Sequence, residues 1–542
     1  MDNGLLVLGL IPLVGALFVA ILGATNASDE TAKRTAFGIS LIELVVTIVI
    51  CAKFHATGQV FQSTTSVKWI SQFGVHFSLG ADGIALVLIA LTSVLTPVVL
   101  LASWHDASGG RRSVATFFAL VLSLQALLVG VFSATDVFLF YVFFEAMLIP
   151  MYFLIGSYGG PQRQYAAVKF LLYSLFGGLL MLAAVIGLYV VARNQGHATF
   201  DFATLTTLHI SKTTQDWLFL GFATAFAVKA PLVPFHTWLP DAGAEAPTGG
   251  AVLLVGVLDK VGTFGFLRYC IPLFPDASKT FAPWILGLAV AGILYGALVA
   301  IGQRDMKRLV SYTSVAHFGF IALGIFAMTS QGGAGAVLYM VNHGLATGAL
   351  FLAVGIIVGR TGNRDVNAYG GLAKVAPLLA GAFFISGLAS LALPGTNSFV
   401  SEFLTLLGTF TRYRIASILA TVGIILAALY VLWAYQRVAQ GPVRGLSEKV
   451  KDLSTREVWV MAPVLALVVV LGVYPKPLLD VITPSVNRTL QQVHRTDPAP
   501  TASAGDVGAP ASLPDYAPGT SPFLPGGDGR TPHLDVAIGA FK

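Results

Sequence analysis

The apolar positions of this chain fall in long unbroken blocks rather than in stripes. Blocks of about 20 residues, long enough for a helix to cross a hydrocarbon layer, alternate with short polar or glycine-rich connections. They lack the ten-residue dyad of an outer-membrane barrel. The pattern predicts fourteen helices, near residues 4–23, 35–54, 82–103, 113–132, 136–156, 165–192, 215–238, 248–270, 283–302, 307–329, 334–359, 376–411, 416–438 and 457–475. Pro231, Pro234 and Pro240 interrupt the seventh block, and Pro394 with Gly395 interrupts the twelfth, so both are predicted to be broken helices. The opening segment MDNG has no basic residue, which favours a retained first helix over a cleaved signal peptide. The expectation is an all-α, polytopic membrane protein.

Composition supports this. Of 542 residues, 56% are hydrophobic and 11% charged, against roughly 25% charged in a soluble domain. The net charge of +6 follows membrane topology and does not indicate a nucleic-acid partner; the predicted surroundings are lipid. Basic residues on the side of Lys33, Arg34, Arg111, Arg112, Arg304, Lys307 and Arg308 outnumber those opposite by about two to one, which places that side in the cytoplasm and both termini outside. From about Asp497 to Pro532 the chain is rich in Pro, Gly, Ala and Ser and reads as a disordered appendage. Cys51 and Cys270 suggest neither a disulfide framework nor a metal site. The predicted organisation is an N-terminal segment 1–112, a first five-helix unit 113–270, a second 283–438, a helix segment 439–475 and a Pro/Gly/Ala-rich tail 476–542.

A short set of ionisable residues remains deep inside the apolar blocks. Glu145 lies nine residues past Asp136, roughly 13 Å along a helix and close to mid-bilayer. Lys229 and Lys260 lie well inside the seventh and eighth blocks, His317 and His343 inside the tenth and eleventh, and Glu402 follows the break in the twelfth. Taken singly, His317 or His343 reads as a helix–helix hydrogen bond, and a lone Glu or Lys as half of a structural ion pair. His236 reads as a cap on the broken helix or as a further relay candidate, and Asp259, beside Lys260, as structural or partner-facing. The set weighs against these readings, because intramembrane charges are costly and usually line ion or proton paths. A proton relay through Glu145, Lys229, Lys260, His317, His343 and Glu402 is the expectation.

The breaks complement the charges. Irregular backbone at membrane depth is tolerated where it lines a cavity, and each break lies near Lys229 or Glu402. Interrupted helices at matching positions of two halves point to inverted repeats around an ion pathway. A Glu–Lys pair at 4 Å and an effective dielectric of about 20 interacts by roughly 4 kcal/mol, about three pKa units. A potential of 100 mV opposes each charge by only about 2.3 kcal/mol. Moving Glu145 relative to Lys229 is therefore a sufficient switch. An ammonium has no lone pair to coordinate a cation, which favours protons over sodium.

LGADGIALVL, FFEAMLIPMYFLIGSYGGPQRQYAAVKFLLYS, KAPLVPFHTWLPDAGAEAPT, RDMKRLVSYTSVAHFGF and VNHGLATGALFL together resemble the antiporter-like membrane subunits of proton-pumping NADH–quinone oxidoreductase, over about residues 1–475. The resemblance implies that Glu145 and Lys229 are the interacting pair, that Lys260 is the central relay, and that His317 and His343 bridge to Glu402. The glutamate at 402, where other members typically carry lysine, points to one branch of that set. It also implies a bacterial plasma-membrane location, with other membrane subunits and an NADH-oxidising peripheral arm as partners. With no nucleotide fingerprint, flavin site or cysteine cluster, no cofactor is expected in this chain. Multisubunit sodium/proton antiporters and membrane-bound hydrogenases share the Glu–Lys–Lys scheme and are the alternatives.

Overall fold

In hydrocarbon every backbone N–H and C=O must be satisfied within the protein, so apolar blocks become helices. A computed structural model describes residues 3–25, 27–107 and 113–499; Arg111, Arg112 and the tail beyond residue 499 lie outside the described residues. In chain order the main helices are α1 (Gly4–Ala24), α2 (Asp29–Lys53), α3 (Gly83–Ala102), α4 (Val114–Ser133), α5 (Val137–Tyr158), α6 (Arg163–Asn194), α7 (Lys212–Lys229) and α8 (Trp238–Glu245). There follow α9 (Thr248–Leu273), α10 (Pro275–Gly302), α11 (Met306–Phe326), α12 (Ser330–Thr361), α13 (Pro377–Ser390), α14 (Asn397–Arg412), α15 (Arg414–Ala439), α16 (Thr455–Val473) and α17 (Lys476–Gln492). Twelve of the described helices are long and apolar enough to span a membrane.

Burial separates the spans into two kinds. The most apolar stretch of α9 is 100% buried, that of α11 94% and that of α12 89%, against 33% in α1 and 22% in α16. The outer helices leave large apolar side chains uncovered, among them Phe18, Trp284, Ile415 and Trp459, as a lipid-facing surface requires. The inner three carry Lys260, His317 and His343, so these residues have protein on all sides.

Both predicted breaks are present, at α7/α8 and α13/α14. Proline at 231 and 234 cannot donate to the preceding turn, and Leu232 N–H reaches back to Ala227 O. The Val228 carbonyl is taken by the Trp238 indole N–H at 2.9 Å. At the second break, Asn342 and Asn397 each donate a side-chain N–H to the other's backbone carbonyl, at 2.6 and 3.0 Å. Protein groups thus satisfy backbone at both interruptions.

Three features depart from the sequence expectation. An antiparallel hairpin, β1 (Gln62–Ile70) with β2 (Val75–Ala81), fills the connection before α3. Its His76 N–H donates to Asp136, which also caps α5 through Phe138 and Leu139. Residues Lys476–Gln492, assigned to the tail, instead form α17, whose Ser485 hydroxyl accepts from Gly83 N–H at 3.0 Å. Its polar residues hide it from a search for apolar blocks, yet its apolar side packs on the bundle. Finally, α9 contains two π-helical turns, Leu254–Leu258 and Phe266–Cys270, where a continuous α-helix is expected.

Ion pairs fasten α8 at one end of the bundle. Asp241 binds Lys169 at 2.7 Å and Arg308 at 2.6 Å, and Glu245 binds Arg364 at 2.9 Å. Asp452 works similarly on α13, accepting from Leu378 and Leu379 N–H at 3.0 and 2.9 Å. Burial pushes the Asp452 carboxyl up, but backbone N–H donors and the Arg360 charge outweigh it and hold it below its ordinary range. Because the folded value is depressed, the cap's contribution is complete above the unfolded value of about 3.9. It is lost as pH falls through the lower folded value. We predict that Asp452→Ala, losing a cap of about 1 kcal/mol, accelerates amide exchange at Leu378 and Leu379 about fivefold at neutral pH. Unchanged exchange at those amides would exclude the cap.

Candidate functional site

Glu145 sits in the last full turn before α5 kinks at Met147. Pro150 supplies no N–H for the Ala146 carbonyl, which accounts for the interruption. The carboxylate lies against α6 at a glycine: a Cβ on Gly178 would fall 1.7 Å from Glu145 Oε1. Lys229, the last residue of α7, is wholly buried, and its Nζ reaches Ser174 Oγ at 3.5 Å, the limit of a hydrogen bond. It lies 4.8 Å from the Phe144 ring centroid and 5.7 Å from that of Phe170, where ring quadrupoles favour a cation. Among the described residues no ion pair joins Glu145 to Lys229. The two expected partners instead dock one turn apart on α6, at Gly178 and Ser174.

Lys260 follows the first π turn of α9. A π turn shifts the backbone bonding by one residue, so Asp259 N–H bonds Leu254 O and the Lys260 ammonium donates to the Val255 carbonyl. The same Nζ is 2.6 Å from His343 Nδ1 and 5.2 Å from the Phe318 ring centroid. Glycines allow this approach. A Cβ on Gly344, next to His343, would stand 2.7 Å from the Gly256 carbonyl, so α9 and α12 cross with backbone nearly touching.

Beyond His343 the contacts continue. The His343 and His317 rings meet edge to face at 5.2 Å, and His317 lies 5.9 Å from the Tyr339 ring. Tyr430 Oη is 3.5 Å from His317 Nε2. The Tyr339 hydroxyl donates to Glu402 at 2.8 Å, and the Asn342–Asn397 pair holds α12 and α14 in that register. The structure therefore brings together Lys260, His343, His317 and Glu402. His236 is 4% exposed and packs on the Tyr295 ring at 5.0 Å, with no hydrogen bond to these four among the described residues.

Several polar residues were not singled out by charge. Tyr339, Tyr430, Ser174 and the two asparagines are uncharged and read as ordinary helix residues. Glu43 carries the same sequence signal as Glu145, an acid in an apolar run, and is missing from the predicted set. It is 0% exposed, and its carboxylate accepts from Ser93 at 2.9 Å and Gln125 at 2.6 Å. Asp259 is also 0% exposed, so the partner-facing reading fails.

Residues 134–427 match the family described as NADH:quinone oxidoreductase/Mrp antiporter, transmembrane. NADH-quinone oxidoreductase subunit M of Mycobacterium tuberculosis is 49% identical over 530 residues, 92% of this chain and 96% of that protein. The subunit M of Rhodobacter capsulatus is 41% identical, over 91% of this chain and 98% of that one. Among solved structures, a chain of respiratory complex I from Thermus thermophilus with bound NADH superposes with TM-score 0.81 at 32% identity, covering 90% of this chain and 99% of its own.

The Gly178 seat is testable. Gly178→Ala is expected to move the Glu145 carboxylate by about 1.5 Å, the shift that restores van der Waals separation. Gly287→Ala, whose Cβ meets nothing within 4 Å, leaves it in place. Cryo-EM side-chain density decides this, and an unmoved carboxylate in Gly178→Ala would refute the steric seat.

Proposed function

Because the chain belongs to the NADH:quinone oxidoreductase/Mrp antiporter family of membrane subunits, we propose that it is the M-type subunit of a bacterial NADH–quinone oxidoreductase and carries protons through the membrane part of that complex. The observation carrying this reading is the run of contacts from Lys260 through His343, His317 and Tyr339 to Glu402, enclosed within the bundle.

Each link suits proton transfer. The Lys260 ammonium donates toward His343 Nδ1, which accepts in the neutral Nε2–H tautomer. Transfer leaves a neutral amine and an imidazolium, whose proton passes to His317. The Tyr339 hydroxyl donates to Glu402 and its ring lies 5.9 Å from that of His317, so rotation of His317 toward the hydroxyl completes the link to Glu402. At the other end, residues one turn apart on α6 have Cβ atoms roughly 5–6 Å apart. Side-chain rotation of Glu145 and Lys229 from Gly178 and Ser174 would thus bring them together. That closure is the step we assign to the redox-driven signal.

NADH oxidation and quinone reduction are assigned to partner subunits, since the sequence holds no nucleotide fingerprint, flavin site or cysteine cluster. The partners are other membrane subunits of the complex and its NADH-oxidising arm. The location is the bacterial plasma membrane, with both termini outside. The family also includes sodium/proton antiporter subunits, whose proton-handling residues would be the same but driven by an ion gradient. The 41–49% identical relatives named subunit M favour the oxidoreductase.

Purification of the tagged protein in mild detergent, with mass spectrometry of its partners, tests the assignment. Flavin and iron–sulfur subunits are expected; antiporter subunits without redox proteins would overturn it. Within assembled complex, Glu145→Gln and Lys229→Ala should lower quinone reductase activity and pumping together, Lys229→Ala by roughly tenfold or more. Normal pumping in either assembled variant would sink the relay.

A further inference from the structure

The contacts described leave one interval unbridged, from Lys229 to Lys260. Lys229 ends α7 and reaches Ser174, whereas Lys260 turns toward Val255 and His343 on α12. No hydrogen bond joins the two halves of the pathway among the described residues.

Asp259 stands in that interval. Two close approaches place this stretch of α9. A Cβ on Gly256 would be 3.0 Å from Leu95 and 3.6 Å from the Gly344 carbonyl, so the Gly256 face of α9 meets α3 and α12. A Cβ on Gly262 would be 2.6 Å from Ala230 N and from the Phe226 carbonyl, so the Gly262 face meets the end of α7. Lys260 directly follows Asp259, and Gly262 lies three residues, about one turn, beyond it. Asp259 is therefore one residue from Lys260 and about one turn of α9 from the crossing with Ala230, which follows Lys229.

The carboxylate is unusual in having no local purpose. Asp259 is 0% exposed, and neither oxygen accepts a hydrogen bond from any described residue. Buried carboxylates held for structure are normally paired or hydrogen-bonded, as Glu43 is by Ser93 and Gln125. A buried carboxylate without a hydrogen-bond partner, next to Lys260 in the chain and about one turn from the α7 crossing, is free to take a proton from one lysine and give it to the other.

We propose that Asp259 is the proton carrier between Lys229 and Lys260, a role that rests on the relay reading above. The Lys229 ammonium gives a proton to the Asp259 carboxylate, leaving a neutral amine and a carboxylic acid. The acid then gives that proton to the Lys260 amine, restoring the carboxylate and forming the ammonium that faces His343. One proton moves, and no electron or co-reactant is needed.

The test uses assembled complex in proteoliposomes, with assembly quantified for each variant. Asp259→Asn should lower quinone reductase activity and pumping together by roughly tenfold, less than the roughly hundredfold of a group acting in a rate-limiting transfer. Asp259→Glu, which keeps the carboxyl, should restore most of both. Asp480→Asn, at an exposed position of α17, serves as the unaffected control. Pumping retained in Asp259→Asn but lost in Lys229→Ala would overturn this inference and leave the relay standing. Pumping retained in Lys229→Ala would remove the relay itself. Should Asp259→Asn fail to assemble, turnover-induced infrared difference spectra of Asp259→Glu and the parent decide. A carboxylic-acid carbonyl band that shifts on substitution supports the carrier, and an unchanged band refutes it.

Discussion

The structure depends on one constraint: a charge in the middle of this bundle is enclosed by protein, away from bulk solvent. An ammonium moved from water into a protein interior loses several kcal/mol even after relaxation. Lys229 and Lys260 are wholly buried, and each is compensated by the groups within its reach. Aromatic faces serve both lysines, while a freed carbonyl and an imidazole serve Lys260. Compensation of this kind is directional. Among these groups the His343 imidazole is also one to which a proton can pass, whereas the rings and the carbonyl only make the charge tolerable.

The irregular backbone follows from the same requirement. A regular α-helix spends its carbonyls on itself; a π turn or a proline break releases some of them. At α9 the released Val255 carbonyl goes to Lys260, while at α7 the Val228 carbonyl goes to Trp238 rather than to the neighbouring lysine. The two cases show that a break does not by itself create a polar path. What matters is whether a side chain, an indole or an amide, arrives first.

Much of this was legible in the sequence because charge and proline are loud signals against an apolar background. The helical blocks, both breaks and the buried Lys260, His317, His343 and Glu402 followed from residue type and position alone. The contact between Lys260 and His343 did not, since it depends on glycines at 256 and 344 that meet only when α9 and α12 cross. The π turns left no local trace, being settled by tertiary packing. Tyr339 and the Asn342–Asn397 pair were silent because uncharged polar residues are common in membrane helices. Glu145 stood out in the sequence, but its contact with Gly178 did not: a glycine records where another side chain sits only once the neighbouring helix is known. The hairpin and α17 escaped because neither is an apolar block.

The glycine crossings limit how α9 can respond to its neighbours. A would-be Cβ at Gly344 or Gly262 comes within 2.7 Å of facing backbone, so the helices touch main chain to main chain. Close-packed interiors have low compressibility, and contacts this tight on two sides leave no slack for α9 to slide or roll past α7 and α12. A piston acting along the membrane would have to separate those crossings before it moved Lys260 at all. Rotation of the Lys260 side chain requires no such separation.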